Sequence, residues 1–174
     1  DYGYAYCQHK YDGHRCVITK HEGKIVAYTR NGKHLTTIDH ILLEMQNRLG
    51  EGQTLDGELY CHGHSLQQIT SWAKKKQEDT LRLVYYCYDM IAESPFYERL
   101  EMAHHICKDA KCTILAPTRR VFMWKDALQF YNESIKGGYE GTILRWGRVG
   151  YESKRTKHVV KLKGKVDDEF RVYD

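Results

Sequence analysis

The chain has 174 residues, of which 41% are hydrophobic, and its formal net charge is +4. This length is enough for one domain with a buried core, and the apolar content excludes a disordered tail. The sequence contains neither a secretory signal nor an apolar stretch of membrane-spanning length. We therefore expect a cytoplasmic protein whose six cysteines stay reduced and act as small hydrophobic residues.

Alternating apolar and polar residues dominate the first thirty positions and predict strands. The first predicted hairpin has strands over 15–20 and 24–30, joined by a turn at His21-Glu22-Gly23. The next predicted elements are a helix over 38–49, a strand over 54–60 and a helix over 65–75 with Ser65 as N-cap. This part of the chain is therefore a mixture of strands and helices.

The second half continues in the same way. Its most apolar segment, residues 81–90, predicts a central strand. The elements expected after it are a helix over 95–107, strands over 113–115 and 120–123, a helix over 125–136, and strands over 141–146, 158–162 and 169–173. Strands at both ends, with helices inserted between them, indicate an α+β fold rather than regular β-α-β winding.

The stretch Lys10-Tyr11-Asp12-Gly13-His14-Arg15 combines a lysine, a carboxylate, a turn glycine and an arginine. A lysine amine attacks phosphorus only when it is neutral, and nearby cations or desolvation favour that form. Asp12 and Gly13 provide a turn that can hold Lys10 at the mouth of a pocket. Taken alone, this short motif fits an ordinary surface turn equally well.

Three later motifs strengthen the interpretation. They are Asp56-Gly57-Glu58, Glu140-Gly141-Thr142-Ile143-Leu144-Arg145 and Lys161-Leu162-Lys163. Two lysines separated by one residue point the same way on a strand and can bind one phosphate. Carboxylates accept hydrogen bonds from ribose hydroxyls or bind Mg²⁺. In isolation, Glu58 and Glu140 could also be plain strand carboxylates that face solvent.

This ordered set resembles the covalent nucleotidyltransferases, most closely the compact ATP-dependent DNA ligases of phages and viruses. The resemblance implies an α+β adenylation-domain fold over residues 1–174, with antiparallel sheets flanked by helices. It also implies that the oligonucleotide-binding-fold domain that usually follows is absent from this chain. The implied reaction uses ATP and Mg²⁺ to form a covalent lysyl-AMP on Lys10. A monomer would then transfer AMP to the 5′-phosphate of nicked duplex DNA, for sealing by the 3′-hydroxyl.

The resemblance implies a role for further side chains. Arg15 and Glu58 would contact the ribose, while Gln8 would help to read the adenine edge and Tyr88 would stack on adenine. Arg30 would contact the 5′-phosphate at a nick. Glu140 would help to place the metal, and the pair Lys161 and Lys163 would hold the α-phosphate.

Several alternatives stay open at this point. RNA ligases and mRNA capping guanylyltransferases share the lysine, and a non-catalytic nucleic-acid-binding module could keep the fold. A nicotinamide-cofactor ligase fits less well, because Arg15 matches the ATP-using pattern. His9 also departs from the pattern, since many relatives carry proline before the lysine. Two clusters of cysteine and histidine, at 61–64 and 104–112, are minor candidates for zinc because neither has paired Cys-x-x-Cys spacing.

Overall fold

A computed structural model describes residues 3–164 of the chain. The strands are β1 (Ala5–Lys10), β2 (His14–His21), β3 (Lys24–Thr29), β4 (Thr54–Tyr60), β5 (Val84–Met90), β6 (Thr113–Leu115), β7 (Thr118–Val121), β8 (Gly141–Trp146) and β9 (Val159–Lys163). The helices are α1 (Asp39–Met45), α2 (Leu66–Lys74), α3 (Phe96–Cys107) and α4 (Trp124–Lys136), with a 3₁₀ helix at Glu78–Arg82. The strand predicted over 169–173 lies outside the described residues.

The strands form two sheets. The first has the order β7-β1-β8-β9, and the second has the order β3-β2-β4-β5-β6. Every pairing among the described strands is antiparallel except β5 with β6, which are parallel because α3 carries the chain back between them. The expected α+β fold, with antiparallel sheets flanked by helices, is confirmed.

Each sheet packs one face on helices. The smaller core lies between the first sheet and α4, and it includes Cys7, Phe130 and Leu144. The larger core joins the second sheet to α1, α2 and α3. Because successive side chains on a strand point to opposite faces, the residues that alternate with Cys7 and Leu144 point away from α4. These include Gln8 and Arg145, which contact β5 of the second sheet. Polar side chains therefore lie between the two sheets, and we call this region the cleft.

Three predicted boundaries were wrong. The central strand begins at Val84, because Leu81 belongs to the preceding 3₁₀ helix. That helix is fixed by Thr80, whose buried hydroxyl donates to the Trp72 carbonyl at 3.0 Å. The strand predicted over 120–123 is β7, which ends at Val121, and the helix predicted over 38–49 is α-helical only to Met45.

Candidate active site

Lys10 is the last residue of β1, and it lies opposite Gly141 in the β1–β8 pairing. The backbone N–H of Glu140 donates to the Lys10 carbonyl at 3.1 Å. The Lys10 amine forms an ion pair with the Glu140 carboxylate, and Lys163 Nζ lies 2.5 Å from the other carboxylate oxygen. The sheet register thus brings together three charged groups from three separate motifs.

Gly141 is required at this crossing. A Cβ atom there would lie 2.0 Å from the Leu162 carbonyl oxygen, and the residue has φ +156°. The close approach of β8 and β9 lets Lys163, which pairs with Gly141, reach the carboxylate of Glu140. Glycine follows Glu140 because the packing of β8 against β9 leaves no room for a side chain at residue 141.

The Lys10 motif turns directly against β4. A Cβ atom on Gly13 would lie 2.4 Å from the Leu59 carbonyl oxygen and 2.8 Å from Glu58 Cγ. The turn can therefore approach β4 only because residue 13 has no side chain. This approach brings the Lys10 charge close enough to Glu58 to affect its ionisation.

Glu58 is a partly buried carboxyl group with an altered ionisation. Burial raises the pKa of Glu58 to about 8, and the charge of Asp56 adds to this effect. The positive charges of Lys10 and Arg15 oppose the rise without cancelling it. This shift favours the protonated form of Glu58 at neutral pH.

Arg15 is held by a buried acid. Its guanidinium donates two hydrogen bonds to Asp56, at 2.9 and 2.8 Å, and a third to Tyr151 Oη at 3.2 Å. Tyr151 and Tyr88 in turn donate to Asp56, at 2.9 and 3.1 Å. The hydrogen bonding of Arg15 to Asp56 is the main reason that the pKa of Arg15 is raised. Asp56 thus connects the two side chains predicted to contact the ribose and adenine.

Gln8 is almost fully buried and makes three hydrogen bonds. Its amide nitrogen donates to the Tyr88 carbonyl and to Thr118 Oγ1, both at 3.0 Å. Its amide oxygen accepts from Arg145 Nε at 2.9 Å. Both of its donors are therefore engaged within the protein. The structure gives Gln8 an internal role, and its contact with adenine stays a prediction.

A buried carboxylate joins the two sheets behind this pocket. Asp89 on β5 accepts from Arg99 Nε on α3 at 2.8 Å and from Arg145 Nη1 on β8 at 3.2 Å. The Arg145 guanidinium also lies 5.0 Å from the ring centroid of Tyr88. Adenine stacking on Tyr88 would have to use the other face of the ring.

Positive charge gathers at the opposite end of the cleft. Burial lowers the pKa of Lys161, and the charges of Lys10, Lys163 and Arg30 lower it further. The pKa of Lys163 is raised by its hydrogen bond to Glu140. The structure thus brings Arg30 near Lys161, although Arg30 itself follows β3 of the second sheet.

The surroundings of Lys10 differ in one respect from the sequence prediction. We expected cations around the amine, but in the structure the group in direct contact with it is the Glu140 carboxylate. Burial alone would raise the pKa of Glu140, but the hydrogen bonds from Lys10 and Lys163 outweigh it and the pKa is lowered. The structure therefore holds Lys10 in an ion pair.

Sequence reasoning assigned no role to Asp56 or Tyr151. Asp56 stands in the Asp56-Gly57-Glu58 motif, and its position before a strand glycine could have drawn attention to it. Tyr151 lies between β8 and β9, where the sequence shows only a turn-rich, basic segment. Its bond to Arg15 joins residues 136 apart, which a single sequence does not reveal.

The family model for the ATP-dependent DNA ligase domain matches residues 2–163. The chain belongs to the ATP-dependent DNA ligase family. The ligase domain is 31% identical to a DNA ligase of African swine fever virus (a Kenyan pig isolate), over 96% of this chain and 43% of that protein. The chain therefore spans less than half the length of this viral relative.

Solved structures agree with the fold of this ligase domain. The ATP-dependent DNA ligase from bacteriophage T7 in complex with ATP has a TM-score of 0.74 at 18% identity, covering 92% of this chain and 62% of that one. The Chlorella virus DNA ligase-adenylate has a TM-score of 0.70 at 20% identity, covering 91% of this chain and 60% of that one. Among residues 3–164, the ligase domain has no helix both long and apolar enough to cross a membrane.

Proposed function

We propose that this chain is the adenylation unit of an ATP-dependent DNA ligase that seals nicked duplex DNA. The observation that carries the proposal is the ion cluster of Lys10, Glu140 and Lys163 at the mouth of a polar cleft. These are the groups that a covalent nucleotidyl transfer needs: a nucleophilic amine, a carboxylate and a cation for the phosphate. The viral and phage relatives support DNA as the substrate.

In the first step, Lys10 Nζ attacks the α-phosphorus of ATP. A P–N bond forms, the bond between the α-phosphorus and the bridging oxygen breaks, and pyrophosphate leaves with the electron pair. The attack can begin only after the Lys10 ammonium has left Glu140 and given up one proton to water, because an ammonium group has no free lone pair. Lys161 and Lys163 would bind the α-phosphate and stabilise the negative charge on it.

Magnesium fits the donor set at Glu140. This carboxylate is partly exposed, and Mg²⁺ usually binds through one or two carboxylates together with substrate phosphates and water. When bound, Mg²⁺ would supply positive charge that offsets the charge developing on the phosphates. Glu140 would hold the ion, and Lys163 would remain on the phosphate.

The nucleoside would lie deeper in the cleft. Arg15 is fixed by Asp56 and Tyr151, so its guanidinium is already positioned for a ribose hydroxyl. Glu58 would accept from the ribose as a carboxylate, which requires it to lose the proton that burial favours. Nucleotide binding near pH 7 would therefore release about one proton.

The second and third steps involve DNA. AMP passes from Lys10 to the 5′-phosphate at a nick, and the 3′-hydroxyl then displaces AMP to form the phosphodiester. Arg30 would contact the 5′-phosphate, because its charge already acts on Lys161 at the cleft entrance. We propose that the unit acts as a monomer in the cytoplasm of a host cell.

The test is incubation with α-labelled ATP and Mg²⁺, followed by denaturation. We expect label to stay on the protein, and Lys10→Arg to abolish it. Arginine keeps the positive charge beside Glu140, so this variant removes the nucleophile and preserves the ion pair. Lys24→Ala, at the exposed start of β3, is the matched control and should label like the wild type.

A second arm supplies nicked duplex DNA that already carries 5′-adenylate. Sealing of this substrate tests the last step without self-adenylation. If the chain neither retains label nor seals pre-adenylated DNA, the proposal is wrong. Label from GTP in place of ATP would indicate capping chemistry, and sealing of RNA alone would indicate an RNA ligase.

A further inference from the structure

The residue before the nucleophile packs in an aromatic stack on the far side of the sheet. The His9 ring is parallel to the Tyr139 ring, with 4.0 Å between centroids and 9° between planes. Its other neighbour is Phe130 of α4, at 4.9 Å and 23°. His9 is therefore held between two aromatic rings, one of which belongs to the residue before Glu140.

A hydrogen-bond chain fixes the orientation of this histidine. His9 Nδ1 lies 2.9 Å from Ser134 Oγ, and Ser134 donates to the Phe130 carbonyl at 2.8 Å. Since a hydroxyl has one proton to donate, Nδ1 must carry the hydrogen and donate to Ser134. The Tyr139 backbone N–H donates to the Ser134 carbonyl at 3.0 Å. Ser134 thus holds both stacked residues.

The stack also reaches the residue after the nucleophile. The Tyr11 ring meets the Tyr139 ring edge-on, with centroids 5.6 Å apart and planes at 90°. Tyr139 therefore contacts both neighbours of Lys10. It precedes Glu140, whose backbone N–H donates to the Lys10 carbonyl.

Strand geometry links this packing to the cleft. Successive side chains point to opposite faces, so an ordered His9 ring behind the sheet fixes the direction of Lys10 in front of it. Tyr139 and Glu140 are adjacent residues in the segment that leads into β8. Lys10 and Glu140 meet in the cleft, and the residues that precede them, His9 and Tyr139, stack on each other behind the sheet.

We propose that Tyr139, through its stack on His9 and its edge contact with Tyr11, is a positioning residue that holds Lys10 and Glu140 in register for nucleotidyl transfer. The proposal rests on the proposed function for its kinetic consequence. The structural claim, that Tyr139 orders the Lys10–Glu140 pair, does not depend on the proposed function.

The kinetic test compares Tyr139→Ala, Tyr139→Leu and Tyr139→Phe in the whole chain. A displacement of about 1 Å at a reacting group can cost about 100-fold in rate. We expect the single-turnover labelling rate at saturating ATP to fall about 10- to 100-fold in the alanine and leucine variants. The dissociation constant of ATP should change less than about threefold, because the Tyr139 ring packs on the His9 ring behind the sheet. Phenylalanine keeps the ring and should restore the rate.

A second readout is independent of ATP. Lys10 is acylated with acetic anhydride, and the modification rate at this residue is followed by mass spectrometry. Tyr139→Leu should speed this reaction several-fold, because Lys10 would leave its ion pair more often. Tyr28→Ala is the matched control: it removes another tyrosine that contacts a histidine, His34, with centroids 4.5 Å apart.

The outcomes separate the two proposals. Normal labelling and unchanged Lys10 acylation in Tyr139→Leu would overturn the positioning role, and so would equal loss in the phenylalanine and leucine variants. If the wild type neither takes label nor seals pre-adenylated DNA, the proposed function is wrong, and the acylation rates still decide the structural claim. Leucine keeps apolar volume at this site, so the test survives if the alanine variant fails to fold.

Discussion

Replacing Asp89 with alanine should destabilise the domain more than any surface charge change. Asp89 is 1% exposed and accepts hydrogen bonds from two arginines, Arg99 and Arg145, whose side chains are 4% and 12% exposed. It also accepts from the Met90 backbone N–H at 2.8 Å. Alanine would leave two buried guanidinium groups without their counter-charge.

The expected cost follows from that loss. Removing one partner of a buried ion pair typically costs about 3–5 kcal/mol, against a total stability of about 5–15 kcal/mol for a domain. For a chain of this size, the loss corresponds to a fall in Tm of roughly 6–20 °C. An exposed pair contributes only about 0–1 kcal/mol, so Lys76→Ala, which removes the surface ion pair with Asp39, is the matched control.

Urea denaturation, followed by tryptophan fluorescence and far-ultraviolet circular dichroism, measures both variants. Asp89→Ala should lower the free energy of unfolding by the amount above, and Lys76→Ala should leave it nearly unchanged. Adding Arg99→Met should recover part of the loss, because it removes one stranded charge. A loss below about 1 kcal/mol in Asp89→Ala would refute the view that this carboxylate joins the two sheets.

Two further predictions concern the cleft. Because the pKa of Glu58 is raised to about 8, the folded state binds more protons than the unfolded state between about pH 4.5 and 8. The free energy of unfolding should therefore fall as pH rises through this window, by at most about 1.4 kcal/mol per pH unit, and Glu58→Gln should flatten the slope in urea denaturation. Parallel slopes in the two proteins would contradict this reading. Gly13→Ala should cost about 1–3 kcal/mol, since its Cβ would clash with β4, and Gly164→Ala, with its nearest contact at 3.6 Å, should cost less in the same assay.

The sequence predicted the charged groups of the site better than their partners. Lys161 and Lys163 alternate on one strand, so their common face could be read from spacing, whereas the role of Glu140 was implied by the resemblance of its motif to a known family. The ion pair between Lys10 and Glu140 joins residues 130 apart and depends on the β1–β8 register. No periodicity within a single sequence reports that register.

Buried polar partners were the least predictable part. Arg15 could be recognised as functional, but its anchoring by Asp56 arises because β2 and β4 are neighbours in the second sheet. Tyr151 comes from a segment with no regular structure of its own. The start of β5 was misjudged because the apolar run through Leu81 looks continuous, although Leu81 is 68% exposed in a 3₁₀ turn.

The position of β1 has a consequence for synthesis. Its two neighbours in the sheet, β7 and β8, both begin after residue 117. At about 5–20 residues per second, the ribosome needs roughly 7–26 s to add the 130 residues that separate Lys10 from Glu140. During that interval Lys10 has been synthesised but Glu140 has not. A polypeptide released before Glu140 is added would therefore lack the cleft. Under the proposed function, acquisition of AMP would report that the ribosome had passed Glu140.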